Sequence, residues 1–250
     1  EMTVRNEREL SLAAPTDAQF TLWAPRVFEG PLEVSFDAFV PEDKTKLLLM
    51  LYGHGLADKA IWTWQRTASY DDYNSGPMEV YTVAFNRGSA TATRPGDELA
   101  NVRRIGGPRF DFYSEEKRKA MTRAESEAAW ERWNTLSFLG GAREPVSGPG
   151  RWIAYRVACS PPHVRMACDG VEFMELADHL PAPLVKGAVG LRCMSRGKSV
   201  LFRNVVIKGH VATEKQPQSL PRSDFIYAQD FDTQSDGDPL PNGWWIEGTV

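Results

Sequence analysis

Glu79 and Tyr81 stand two residues apart in Met78-Glu79-Val80-Tyr81-Thr82-Val83-Ala84-Phe85. The stretch reads as a β-strand, so both side chains project from one face. Tyr70 and Tyr73 precede it, Arg87 follows it, and Asn101, Arg103 and Arg104 come soon after; His54 stands between glycines in Tyr52-Gly53-His54-Gly55. Phenols, an imidazole, an amide and guanidinium groups are the parts of a lyase acting on a uronic acid. A cation or amide neutralises the sugar carboxylate, the α-proton becomes acidic, and Tyr or His removes it. In that scheme Tyr81, His54 and Arg87 are the catalytic candidates, while Glu79, Tyr70, Tyr73, Asn101 and Arg103 hold substrate. Each has an ordinary alternative: Tyr81 as a half-buried strand aromatic, Arg103 and Arg104 as surface cations, His54 as a loop residue bonded to backbone.

Other chemistries ask for other residues. A glycosidase needs two carboxyls about 5–5.5 Å or about 6.5–9.5 Å apart. No Glu-x-Asp-x-x-Glu string occurs. Glu33 and Asp37 share a strand face but stand roughly 13 Å apart along it, and the adjacent Asp71 and Asp72 would point opposite ways in a strand. A hydrolase would have to assemble its pair across strands. A non-catalytic carbohydrate-binding module needs only aromatic platforms and hydrogen-bonding groups. Trp62 and Trp64 share one face of Ile61-Trp62-Thr63-Trp64-Gln65 and either stack sugar rings or fill core. Asp230, Asp232, Asp236 and Asp238 offer hard oxygens to a structural Ca²⁺, although Asp236-Gly237-Asp238-Pro239 is also turn chemistry. No other cofactor is expected.

The elements that must position these groups are strands. Residues 19–23 and 32–39 alternate with period two around Glu29-Gly30-Pro31, and 47–52 is a continuous apolar run of the kind covered on both faces. Residues 78–85, 152–158, 164–168, 188–193 and 200–207 follow, each bounded by Gly, Pro, Asn or Asp. The pattern predicts an all-β, two-sheet antiparallel β-sandwich as a single domain over 1–250. Residues 114–136 break it, being rich in Glu, Lys, Arg and Ala without Pro or Gly. One inserted helix is predicted there, with Ser114 as N-cap and Glu115 and Glu116 facing the positive end of the dipole. Its stripe of Ala129, Trp130, Trp133 and Leu136 either docks it on the sandwich or makes it a lid over a cleft. Residues 210–224 read as a linker, and 225–250 as a strand segment that completes the same sandwich or opens a second repeat.

Composition excludes several partners. Among 250 residues, 29 basic side chains face 33 acidic ones, so no positive excess drives phosphate binding and a nucleic-acid partner is ruled out. The run Leu47 to Tyr52 is the longest apolar stretch, far short of the roughly 18 residues of a membrane span. Eight Trp, seven Tyr and twelve Phe are too many for a chain that never packs. An oligo- or polysaccharide remains as partner, and self-association into a homo-oligomer stays open. Cys159 and Cys168 flank a turn at Ser160-Pro161-Pro162-His163. A tight hairpin there sets Cys159 opposite Val164 and Cys168 opposite Tyr155, so the sulfurs do not meet and the thiols are read as small core residues.

From Leu22 to Gly209 the motif order resembles the YesU-like family of bacterial proteins. The residues that carry it are Leu22-Trp23-Ala24-Pro25 with Phe28, Glu33 to Phe39, Tyr70-Asp71-Asp72-Tyr73 leading to Gly76, and Tyr81-x-Val83-x-Phe85-x-Arg87. Asn101-Val102-Arg103-Arg104, Tyr155-Arg156, Asp169-Gly170-Val171, Gly187 to Met194 and Phe202-Arg203-Asn204 complete the series. The resemblance implies a concanavalin A-like (lectin/glucanase) jelly roll and a carbohydrate-active protein of bacterial polysaccharide degradation; an extracellular or periplasmic location is slightly favoured and a cytoplasmic one stays open. Family histidines expected near Asn74, Ser75 and Thr82 are absent. The family's opening strand and Trp-x-x-Glu-Gly turn instead resemble Tyr227 to Phe231 and Trp244 to Gly248 at the C-terminus. That order implies a circular permutation or a fragment of a tandem array.

Overall fold

The structure is a computed structural model, and it describes residues 2–5, 9–13, 21–42, 45–56, 73–85, 100–146, 148–193, 198–212, 224–229 and 245–247. Strands β1 (Met2–Arg5), β2 (Glu9–Ala13), β3 (Thr21–Phe39), β4 (Leu47–Gly55), β5 (Met78–Phe85), β6 (Ala100–Gly106) and β7 (Phe138–Ala142) come first. After them come β8 (Trp152–Ser160), β9 (His163–Cys168), β10 (Val171–Ala177), β11 (Lys186–Cys193), β12 (Ser199–Val211), β13 (Asp224–Gln229) and β14 (Trp245–Glu247). β3 belongs to two layers. Its residues 22–29 pair with β11, and its residues 32–39 pair with β8. Between the halves Gly30 has φ 69°, which a residue without Cβ adopts at little cost.

Sheet A runs β3-β11-β4-β5-β6-β7. Sheet B runs β10-β9-β8-β3-β12, with β2 and β13 along the far side of β12. Alternation along each strand builds two apolar layers. Leu47, Leu49, Leu51, Tyr81, Val83 and Phe85 of sheet A face Val34, Phe36, Tyr155, Val157 and Phe202 of sheet B. Phe85 touches both Phe36 (ring centroids 5.8 Å apart) and Tyr155 (4.5 Å) across that core. The alternate residues Trp23, Met50, Met78, Val80 and Ile105 point outward from sheet A, where Phe110, Tyr113 and Trp133 cover them. Residues 47–52 are therefore buried on both faces, as their continuous apolarity predicts.

The covering segment differs from the single helix predicted for 114–136. It comprises a 3₁₀ helix (Pro108–Tyr113), α1 (Glu115–Lys119) and α2 (Arg123–Ser137). Ser114 makes no side-chain cap. Thr122 does: its hydroxyl accepts the Glu125 N–H at 3.3 Å, while Glu125 Oε2 accepts the Thr122 N–H at 2.7 Å. This reciprocal box satisfies two orphan donors and fixes the longer helix eight residues later than the serine suggested. Trp133 docks α2, its indole N–H donating to the Asn74 carbonyl at 3.2 Å, whereas Leu136 at the end of the stripe is exposed.

Residues 210 and 211, predicted to open a linker, are the end of β12, and β13 pairs along β12 from Val205 to His210. β14 pairs with residues 21–23 of β3. The junction of the two chain ends lies outside the described residues, as does the linker between 213 and 223. Among the described residues no helix is long and apolar enough to cross a membrane. In the β8–β9 hairpin Cys159 stands opposite Val164 and Tyr155 opposite Cys168, the register read from the turn. Cys159, Cys168 and Cys193 are buried thiols, and burial pushes the Cys159 thiol up to about 12. A thiol reagent at neutral pH should label none of the three in the native protein and all three in denaturant; counting labels by mass spectrometry checks this.

Candidate functional site

At one end of sheet A, β4, β5 and β6 stop beside the connection from β10 to β11, and a chain of polar side chains joins them. His54 Nε2 lies 3.9 Å from Glu79 Oε2, and Glu79 Oε1 lies 3.6 Å from Arg104 Nη2. Arg104 Nη1 donates to Asp178 Oδ2 at 3.2 Å and to the Pro181 carbonyl at 3.0 Å. The Tyr81 hydroxyl donates to Asp178 Oδ2 at 2.6 Å and accepts the Leu184 N–H at 2.9 Å. Asp178 has no exposed side-chain surface and Arg104 6%, against 17% for His54 and 23% for Glu79. The chain thus runs from solvent inward. Burial, followed by the bond to Asp178, pushes the Tyr81 phenol far above the ordinary tyrosine range. A phenol that already gives its proton to a buried carboxylate is held as a donor, not as a base.

His54 Nδ1 lies 2.9 Å from the Tyr52 carbonyl, so its ring is oriented by backbone while Nε2 faces Glu79. Arg109 enters from the 3₁₀ helix, stacks over Phe110 at 4.7 Å, and donates Nη2 to the Arg104 carbonyl at 2.8 Å. Burial, then the neighbouring Arg104, lowers its pKa. Gly107, with φ 78°, sits against the Glu79 side chain; a Cβ there would come within 3.1 Å of it.

The outer face of sheet A carries a different set. Arg192 is 1% exposed, its guanidinium 4.2 Å over the Tyr73 ring, and Nη1 donates to Thr21 Oγ1 at 3.1 Å. Thr21 Oγ1 is also 2.8 Å from the Tyr73 hydroxyl. Thr82 and Asn101 are buried on the same face. Arg103 lies between the Trp133 and Phe138 rings, 5.2 Å from each centroid, and donates to Ser137 Oγ at 3.0 Å. Tyr73, Asn101 and Arg103 therefore belong to the outer face, while Glu79, Tyr81 and His54 gather at the inner one. Arg104 is no surface cation but a buried one, since it faces the core opposite Tyr81.

Tyr70, Arg87, Trp62, Trp64, Asp230, Asp232, Asp236 and Asp238 lie outside the described residues. Among the described residues no group of three or more His, Cys, Asp or Glu could hold a metal ion. Glu33 and Asp37 lie on the outer face of sheet B, neutralised by Lys208 and Arg156 and by Arg203 respectively. Four residues of these sites were not singled out from sequence: Thr21, Arg109, Asp178 and Arg192. Arg192 alone left a local signal, as a lone cation in the apolar run Gly187 to Cys193.

A domain of unknown function, DUF1961, matches residues 1–113. No curated protein matches the chain. Among solved structures, a Bacillus subtilis protein of unknown function with a galectin-like fold is similar at 17% identity over 80% of each chain, TM-score 0.59. The Emp47p carbohydrate recognition domain is similar at 8% identity over 84% of this chain and 86% of that one, TM-score 0.50. These likenesses show the fold, a lectin-like jelly roll.

Two stability tests follow from the inner cluster. Asp178→Ala leaves Arg104 buried without its hydrogen-bonded carboxylate and should cost about 3–5 kcal/mol in denaturant unfolding. Tyr52, Tyr81 and Tyr155 all have raised pKa values, burial being the first cause in each. Their contribution is complete below the unfolded value of 10.0 and is lost as pH rises above it. In an alkaline titration, three of the seven tyrosines should ionise only as the circular-dichroism signal collapses.

Proposed function

We propose that this is a carbohydrate-binding protein. The observation that carries the reading is the lectin-like jelly roll it shares with a galectin-like protein and a carbohydrate recognition domain. The Arg192 guanidinium, 1% exposed beneath the 108–137 segment and tied to Tyr73 and Thr21, holds that segment's side of sheet A together and is not the glycan contact. The carbohydrate recognition domain among the similar structures supports the class of ligand by analogy of fold alone.

Binding without cleavage is the form of the proposal, because the phenol best placed by sequence to act as a base, Tyr81, shares its proton with Asp178 on the opposite face. Elimination by His54, Tyr81 and Arg87, and hydrolysis by carboxylates from different strands, are the competing forms. Calorimetric titration with a uronate oligomer and with a neutral oligomer of equal length tests all three. At least one oligomer should bind saturably, with no product released. Saturable binding of neither oligomer would overturn the proposal. Unsaturated product released by the wild type and lost in Tyr81→Phe would put the lyase in its place.

A further inference from the structure

We infer that Arg104 and Arg109 form a binding site for a single oxyanion (a carboxylate or a sulfate) at the end of sheet A. Two buried donors lead there. Among the described residues neither the Nε of Arg104 nor the Nε of Arg109 has a hydrogen-bond partner. Unmatched buried donors are rare in folded proteins, and each calls for an acceptor. The two side chains belong to one end of sheet A, because the Arg109 guanidinium donates to the Arg104 backbone carbonyl.

The charge on the two groups is only partly matched. Arg104 has one hydrogen-bonded carboxylate, Asp178; Glu79 is 3.6 Å away, beyond a good hydrogen bond. Among the described residues Arg109 has no ion-paired carboxylate, and the carbonyl bond and the Phe110 ring hold it. Water would satisfy one N–H, but an oxyanion oxygen satisfies the N–H and part of the charge together. His54 and Glu79 are the partly exposed members of the cluster, so the approach from solvent passes them. Glu79 repels an incoming anion from that rim.

The site is tested by calorimetric titration with sodium sulfate, sodium glucuronate and glucose at constant ionic strength. Both anions should bind saturably and glucose should not. Arg109→Gln should weaken anion binding about tenfold. Glu79→Gln should tighten it several-fold, a gain that a damaged fold does not produce. Tighter sulfate than glucuronate assigns the site to a free inorganic anion, and the reverse order assigns it to a sugar acid. Absence of saturable binding for both anions, or affinities unmoved by both Arg109→Gln and Glu79→Gln, would overturn the inference whatever the oligomer titration shows.

Discussion

A carboxylate with no exposed surface, Asp178, ties the two layers of this sandwich together. It sits at the start of the strap that leaves β10 in sheet B and enters β11 in sheet A, and it receives Arg104, Tyr81 and the Leu180 N–H. The strap is held a second time where Leu184 donates to Tyr81 and Arg104 donates to Pro181. Burying such a pair gains little net energy, because desolvation offsets attraction. Removing one member is costly, since the survivor stays charged and dry. The strap is thereby confined to one path, and the residues confining it are committed to the fold.

That commitment divides sheet A into two chemistries. Its inner face holds Tyr81 and Arg104 for the strap, with Glu79 and His54 at the rim. The outer face would ordinarily meet water and alternate as polar positions. Here it is apolar at Trp23, Met50, Val80 and Ile105 because the 108–137 segment covers it. Against that apolar layer the buried polar residues stand out: Thr21, Thr82, Asn101 and Arg192. Burial without an apolar side chain needs a reason, and for Arg192 a large share of it is the Tyr73 ring and the Thr21 hydroxyl.

What could be read from sequence was local. The Cys159–Val164 register followed from the prolines of a short turn, and the double burial of 47–52 from continuous apolarity. The placement of α2 was also local, and Thr122-Arg123-Ala124-Glu125 carried the capping box that Ser114 lacks. The inner cluster was half legible. Period two put Glu79 and Tyr81 on one face, but nothing near them announced a partner 97 positions away. Arg192 and Thr21 are 171 positions apart and meet only because β3 and β11 pair.

Arg103 and Arg104 show why nearness in sequence misleads in a sheet. They are consecutive, yet one lies between Trp133 and Phe138 on the outer face while the other binds Asp178 inside. A strand inverts direction at every residue, so adjacent cations serve opposite faces and cannot share a ligand. Grouping Tyr73, Asn101 and Arg103 with Tyr81 and Glu79 therefore joined side chains that the pleat of β5 and β6 separates. Sorted by parity, the cationic positions resolve into Arg103 and Arg192 outside, and Arg104 inside with Arg109 reaching it from the helical segment. One sheet can thus present positive charge on both faces, each backed by its own aromatic layer, without the two sets repelling at contact distance.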